Sequence, residues 1–116
     1  MKKTASLKQN HLFRRAYQRG KTAADGNLAL SIRRNGQRDN RLGLTVSTKV
    51  GNAVVRNRVR RRLREIYRLN EDKLISGVDV VVVARVRSSG ARYRHLERSF
   101  LKLADRLDLL KKDGMK

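Results

Sequence analysis

The sequence has 116 residues, which is the size of one domain and leaves little room for a second. Its 30 lysines and arginines against 10 aspartates and glutamates give a formal net charge of +20, which favours a polyanion as the partner because cations that neutralise phosphates release counterions. Hydrophobic residues make up 39% of the chain, which argues against wholesale disorder, and the lack of cysteine excludes disulfide frameworks and thiolate metal sites.

A single domain is expected over residues 1–116, because proline is absent and the eight glycines are scattered, so that no linker divides the chain. The two basic ends, 1–8 and 111–116, are expected to be frayed. The first predicted element is a short helix from about Asn10, which can cap it, to about Arg19, just before Gly20.

Alternation of apolar and polar residues predicts two strands, over 28–33 and 42–47, each with one buried and one open face. The stretch 35–40 between them is rich in turn-forming residues. An antiparallel hairpin is therefore expected.

A long helix is predicted from about Asn52 to Asn70. Its apolar residues recur at helical spacing and form one stripe, with Tyr67 at the edge: Val55, Val59, Leu63 and Ile66.

After Gly77 the nearly continuous β-branched run 78–84 is typical of a strand covered on both faces. A last helix is expected over about 93–111. The order α-β-β-α-β-α contains a βαβ unit, so the predicted fold class is α+β, a sandwich of one mixed sheet and a few helices.

The residues give little sign of catalysis by the polypeptide. The ten acids are dispersed, and His11 and His95 stand on different elements outside any metal-ligand spacing, so we predict no catalytic residue and no metal ligand. No stretch approaches the roughly 20 apolar residues that span a bilayer, and the start lacks the apolar run of a signal peptide. The cytoplasm is the expected location, with no membrane partner.

The strongest functional signal lies in the long helix. Residues 56–64 contain six arginines in nine positions, and Arg68 follows one turn later. Five of the arginines fall opposite the apolar stripe: Arg58, Arg60, Arg61, Arg64 and Arg68. Arg62 falls near the stripe and has either to extend past the core to solvent or to reach a partner at the rim of the core. Like charges on successive turns destabilise a helix unless an anion binds there, and guanidinium groups bind phosphate in bidentate fashion, so this face is a predicted RNA-binding surface.

Phe13 and Tyr17 stand one turn apart on the first predicted helix and are two of only five aromatic residues. On spacing alone, packing into the core is the simpler interpretation. The alternative is a surface on which single-stranded nucleotides stack.

The segment 44–65 reads LTVSTKVGNAVVRNRVRRRLRE. It resembles the signature of the bacterial ribonuclease P protein component, in which a strand is followed by Gly-Asn-Ala-Val and then by an Arg-Asn-Arg helix. The resemblance extends to Phe13 and Tyr17 on the first helix, to the buried strand 78–84 and to the last helix, and so covers nearly the whole chain.

The resemblance implies a function and a division of labour. The catalyst would be the ribonuclease P RNA, which holds most of the Mg²⁺, while the protein binds that RNA and the 5′ leader of precursor tRNA and assists removal of the leader. By position, the implied RNA-binding residues are Lys49, Arg56, Asn57, Arg58, Arg60, Arg61, Arg64 and Arg68. The implied leader groove contains Phe13, Tyr17 and Ser31, the last at a position where family members often carry an aromatic residue.

The resemblance also implies a fold like that of a ribosomal-protein domain, with a left-handed βαβ crossover, although parallel strands are usually joined by right-handed connections. Two other classes of function fit the charge alone. One is a structural ribosomal or RNA-chaperone protein, which has no need of the Gly-Asn-Ala-Val-Val-Arg-Asn-Arg order. The other is a DNA-binding protein, which the lack of helix-turn-helix spacing disfavours.

Overall fold

The computed structural model describes residues 4–6 and 20–112. The strands are β1 (Thr4–Ser6), β2 (Lys21–Ala24), β3 (Leu28–Arg34), β4 (Asn40–Val46) and β5 (Val78–Ala84), and the α-helices are α1 (Ala53–Asn70) and α2 (Tyr93–Arg106). Three short 3₁₀ helices connect them: Thr48–Val50, Glu71–Lys73 and Val86–Gly90. Within the described ranges, no helix combines the length and the hydropathy that a bilayer crossing requires.

The five strands form one mixed sheet in the order β1-β4-β5-β3-β2. The central strand β5 is parallel to β4 and antiparallel to β3, so that Val81 lies between Ser31 and Gly43. The predicted hairpin of β3 and β4 is therefore wrong. Because β5 is apolar on both faces, it is buried best at the centre of the sheet, between β3 and β4. The turn-rich stretch 35–40 therefore crosses the beginning of β5, where the N–H of Asn35 donates to the carbonyl of Gly77.

The two edge strands were not predicted from the sequence. β1 pairs in parallel with β4 and lies within the segment 1–8, for which fraying remains a prediction. β2 pairs antiparallel with β3 through a tight turn at residues 25–27. Both strands are short, and neither shows the alternation that marks β3 and β4. The first predicted helix, with Phe13 and Tyr17, lies outside the described residues.

The last helix ends at Arg106 and not near Lys111 as predicted. Asp108 adopts a positive φ of 58°, and the N–H of Leu109 turns back to the carbonyl of Ala104 at 2.9 Å, which stops the helix. The chain then runs beside residues 73–75, where the N–H of Lys111 donates to the carbonyl of Lys73. Leu107 and Leu110 continued the apolar spacing of the helix and so misled the prediction, although Leu107 lies in the turn that ends the helix and Leu110 pairs with Leu74 beyond it.

Both α-helices pack against one face of the sheet, α1 mainly on β4 and α2 mainly on β3. The apolar stripe of α1 is confirmed, since Val59, Leu63 and Ile66 are buried. Tyr67, expected at the edge of the stripe, is fully buried. Its ring meets that of Phe100 edge-on at 6.2 Å, and its hydroxyl is within hydrogen-bond distance of the Thr4 hydroxyl at 3.0 Å.

A buried ion pair joins two strands on the opposite face of the sheet. Asp79 of β5 has no exposed surface and accepts two hydrogen bonds from Arg41 of β4, from Nε at 2.6 Å and from Nη2 at 2.7 Å. The Asn35 amide donates to the same carboxylate at 3.2 Å. The bidentate geometry satisfies a charge that would otherwise be very costly to bury.

We expect Asp79→Ala to lower the free energy of unfolding by about 3 kcal/mol, because it leaves the partly buried Arg41 guanidinium unpaired. Asp39→Ala is the matched control, since Asp39 is exposed, and it should cost less than about 0.5 kcal/mol. Urea unfolding followed by circular dichroism measures both values. Equal losses in the two variants would contradict the assigned role of the pair.

Candidate RNA interface

The start of α1 depends on two residues of the Gly-Asn-Ala-Val segment. The Asn52 side chain caps the helix by accepting the N–H of Val55 at 3.0 Å. A Cβ on Gly51 would lie 2.8 Å from a methyl group of Val55, so no larger residue fits there without a shift. This half of the motif therefore determines where the helix begins and how closely the preceding chain approaches it.

The burial of the stripe turns most of the arginines of α1 outward. Arg58, Arg61 and Arg64 are exposed, as is Asn57, whereas Arg56 and Arg60 are half-buried. None of these five arginines has an acidic side chain within ion-pair distance among the described residues. Over 56–64 the positive charges of α1 are thus not compensated by any acid of the described residues.

Two of these polar residues are already in contact with each other. The Arg60 guanidinium donates to the amide oxygen of Asn57 at 3.1 Å, which holds both side chains on one turn of the helix. Arg56 stands at the helix start, where its Nε is shielded from solvent and pairs with no atom of the described residues. The first two turns therefore contain both an ordered donor pair and a guanidinium with an unmet hydrogen bond.

Arg62 and Arg68 have partners within the protein. Arg62 reaches past the core edge to the carbonyl oxygen of Ala91 at 3.4 Å, as its position near the stripe predicted. Arg68 forms a bidentate pair with Glu65, at 2.5 Å and 3.1 Å, and this hydrogen bonding lowers the pKa of the Glu65 carboxyl. The uncompensated positive charge on α1 is therefore concentrated over 56–64, whereas Glu65 offsets that of Arg68.

The remaining predicted residues lie apart from this face. Lys49 is exposed on the 3₁₀ helix Thr48–Val50, one short segment before α1. Ser31 has no exposed surface, and its hydroxyl is 2.9 Å from the hydroxyl of Thr22, so it offers no surface to a nucleotide in this conformation. The leader groove remains a prediction, since Phe13 and Tyr17 lie outside the described residues.

No metal centre is formed by the part of the chain that the structure describes. No three His, Asp or Glu side chains of residues 4–6 and 20–112 come close enough to hold an ion together. The donor set of this chain therefore does not fit a protein-borne Mg²⁺ site within those ranges.

A second concentration of arginine, over 85–98, was not singled out from the sequence. Five arginines occur there, at 85, 87, 92, 94 and 98. Only their number could have indicated this concentration from the sequence, because they are spread over a turn and the start of a helix with no periodic pattern. The fold brings three of them, Arg85, Arg87 and Arg98, beside the turn at 25–27.

Comparison with known proteins agrees with this geometry. The family model described as Ribonuclease P matches residues 1–108. A ribonuclease P protein component from Natranaerobius thermophilus is 39% identical over 113 residues, covering 97% of this chain and 98% of that relative. The one from Clostridioides difficile is 41% identical over 108 residues, covering 92% of this chain and 95% of that relative.

Solved structures show the same fold. The RNase P protein of Staphylococcus aureus superimposes with a TM-score of 0.84 at 26% identity, covering 91% of this chain and 97% of that chain. The RNase P protein of Thermotoga maritima, in complex with 1-(4-fluorophenyl)-2-thiourea, gives a TM-score of 0.79 at 30% identity, covering 86% of this chain and 97% of that chain.

The predicted α+β architecture with one mixed sheet is confirmed by these structures. With a family model over nearly the whole length and relatives at about 40% identity, the chain belongs to the ribonuclease P protein component family, and it is the protein subunit of the ribonucleoprotein that processes the 5′ end of tRNA.

Proposed function

We propose that the outward face of α1 binds the ribonuclease P RNA, and that the chain also holds the 5′ leader of precursor tRNA while the RNA cleaves it. The observation that carries this proposal is the row of guanidinium groups over 56–64 that no described acid neutralises. Such a row is costly on an isolated helix and becomes favourable when phosphates lie against it.

The chemistry of the face suits a folded RNA. Guanidinium groups present two parallel N–H donors to a phosphate, and the exposed Arg58, Arg61 and Arg64 have such donors free of any described acid. Asn57 has an amide that can donate to a ribose hydroxyl or a base edge while its oxygen accepts from Arg60. Lys49 extends the cationic surface to the segment before the helix.

The same reasoning assigns the bond-breaking step to the RNA. Hydrolysis of a phosphodiester by two metal ions requires clustered carboxylates or phosphates as ligands, and the described residues provide no such carboxylate cluster. We therefore assign the Mg²⁺ ions to the RNA subunit and give this chain the roles of binding and positioning. Because its RNA partners are cytoplasmic in a bacterium, the cytoplasm is the proposed location.

Reconstitution tests the proposal directly. Mixed with a ribonuclease P RNA at low Mg²⁺ concentration, the chain should raise the rate of 5′ maturation of a precursor tRNA well above that of the RNA alone, because it neutralises phosphates that the ions would otherwise have to screen. Gel analysis of the cleaved leader provides the rate. Cleavage by the polypeptide without RNA would overturn the division of labour.

Arg58→Ala should weaken binding to the ribonuclease P RNA and lower the slope of log affinity against log salt by about 0.7 to 0.9, the value for one lost phosphate contact. Arg38→Ala removes the same charge from an exposed loop at the far end of the sheet and is the control. Filter binding at four salt concentrations measures both slopes. Identical slopes in the two variants would count against α1 as the contact surface.

Phe13→Ala should reduce the affinity of the holoenzyme for a precursor with a leader more than its affinity for mature tRNA, because a lost stacking contact costs about 1–3 kcal/mol per base. Leu12→Ala, at the neighbouring position, is the control for general packing. Competition binding with the two RNAs gives the ratio. An equal loss on both RNAs would assign Phe13 to the core.

A further inference from the structure

A second basic surface lies at the end of the sheet where β5 finishes. The turn between β2 and β3 faces Arg87 and the outer side of α2 across an open cleft of about 310 Å³, which we call the turn cleft. An adjoining hollow of about 490 Å³ shares three of its lining residues. The turn cleft is lined by Asp25, Gly26, Asn27, Arg87, His95, Arg98, Ser99 and Lys102.

The turn itself is held in one shape. The Asp25 carboxylate accepts the N–H groups of Asn27 and Leu28, each at 2.9 Å, and pairs with Lys102 Nζ at 3.1 Å. Burial opposes ionisation, but the hydrogen bonds from Leu28, Ser99, Asn27 and Lys102 outweigh it and lower the pKa of Asp25 to about 2. One oxygen of this carboxylate thus fixes the turn and the other pairs with Lys102, and neither is within ion-pair distance of Arg87 or Arg98.

Arg87 lies directly on the turn because Gly26 has no side chain. Its Nη1 is 2.6 Å from the position that a Cβ on Gly26 would occupy, so even an alanine would displace the guanidinium. Arg85 supports the same turn, with Nη1 donating to the carbonyl of Asp25 at 3.2 Å. The guanidinium of Arg87 therefore occupies the space that a side chain at position 26 would take.

The charges in the cleft are unbalanced. Arg87 and Arg98 are exposed, and neither has an acidic partner within ion-pair distance among the described residues. Glu97, next to Arg98 in sequence, accepts a hydrogen bond from Asn70 and so points toward α1. The Asn27 amide donates one hydrogen to Ser99 Oγ at 3.1 Å, which leaves its second hydrogen for a ligand.

We propose that the turn cleft is a second phosphate-binding site, in which Arg87 and Arg98, with Asn27 beside them, bind successive phosphates of an RNA backbone. The site is distinct from the arginine face of α1. The two lie at the same end of the molecule, because the 3₁₀ helix Val86–Gly90 packs against the 3₁₀ helix that precedes α1. The phosphates belong either to the ribonuclease P RNA or to precursor tRNA. This inference rests on the proposed function, because it takes RNA as the partner.

The double variant Arg87→Ala, Arg98→Ala tests the site. Loss of two phosphate contacts should lower the slope of log affinity against log salt by about 1.4 to 1.8. One arm of the experiment measures binding of the isolated ribonuclease P RNA, and the other measures binding of precursor tRNA to the assembled holoenzyme. A reduced slope in either arm supports the site and identifies which RNA supplies the phosphates.

The matched control is Arg38→Ala, Lys73→Ala, which removes two exposed positive charges at the opposite end of the sheet. If the cleft variant matches this control in both arms, the proposal is overturned. Arg58→Ala is measured in the same experiment. If Arg58→Ala lowers the salt slope and the cleft variant does not, only the proposed cleft site is contradicted. If Arg58→Ala leaves the slope unchanged, the proposed function itself is contradicted. Circular dichroism melts confirm that each variant is folded.

Gly26→Ala tests whether RNA binding depends on the position of the Arg87 guanidinium and not only on its charge. The substitution keeps the net charge but makes the Arg87 guanidinium move away from the turn, so it should weaken RNA binding by less than Arg87→Ala, which also removes the charge. Gly90→Ala is the control, because no atom lies within 4 Å of a Cβ placed there. Wild-type affinity of Gly26→Ala would contradict the specific geometry of the cleft.

Discussion

The packing of one apolar stripe against the sheet determines how this protein presents its charge. Val59, Leu63 and Ile66 are buried between β4 and α2, and each turn that buries one of them turns arginines to the opposite side. Hydrophobic burial thereby offsets the repulsion among like charges on a single helix. Without that packing, a segment this rich in arginine would have no reason to stay helical in the absence of an anion.

The central strand has the corresponding role in the sheet. β5 is buried on both faces, its even-numbered valines in the core and Asp79 and Val81 on the other side. Asp79 is tolerated there because Arg41 and Asn35 hydrogen-bond it, so a charged residue in an apolar run becomes a link between two strands. The order of the sheet then places the end of β4 and the start of α1 beside the end of β5.

The sequence predicted the elements with strong periodicity and missed those without it. The bounds of β5 and the stripe of α1 follow from local apolar patterns, and the structure has both. The strand order does not follow from such patterns, because turn-forming residues at 35–40 are as compatible with a connection around a third strand as with a hairpin. Among the site residues, the exposure of Arg58, Arg61 and Arg64 was predictable from helical spacing, whereas the turn cleft depends on contacts between residues about 60 to 77 positions apart.

Arg62 differs from the other arginines of α1 because its guanidinium contacts the backbone of another segment of the protein. Its contact with the carbonyl of Ala91 joins the middle of α1 to the segment that precedes α2, from inside a run of mostly outward-facing arginines. Substitution of each of the seven arginines of α1, followed only by a measurement of RNA affinity, would not distinguish them from one another. Their contacts distinguish them: Arg62 reaches the backbone before α2, Arg68 is paired with Glu65, and the other five have no acidic partner among the described residues.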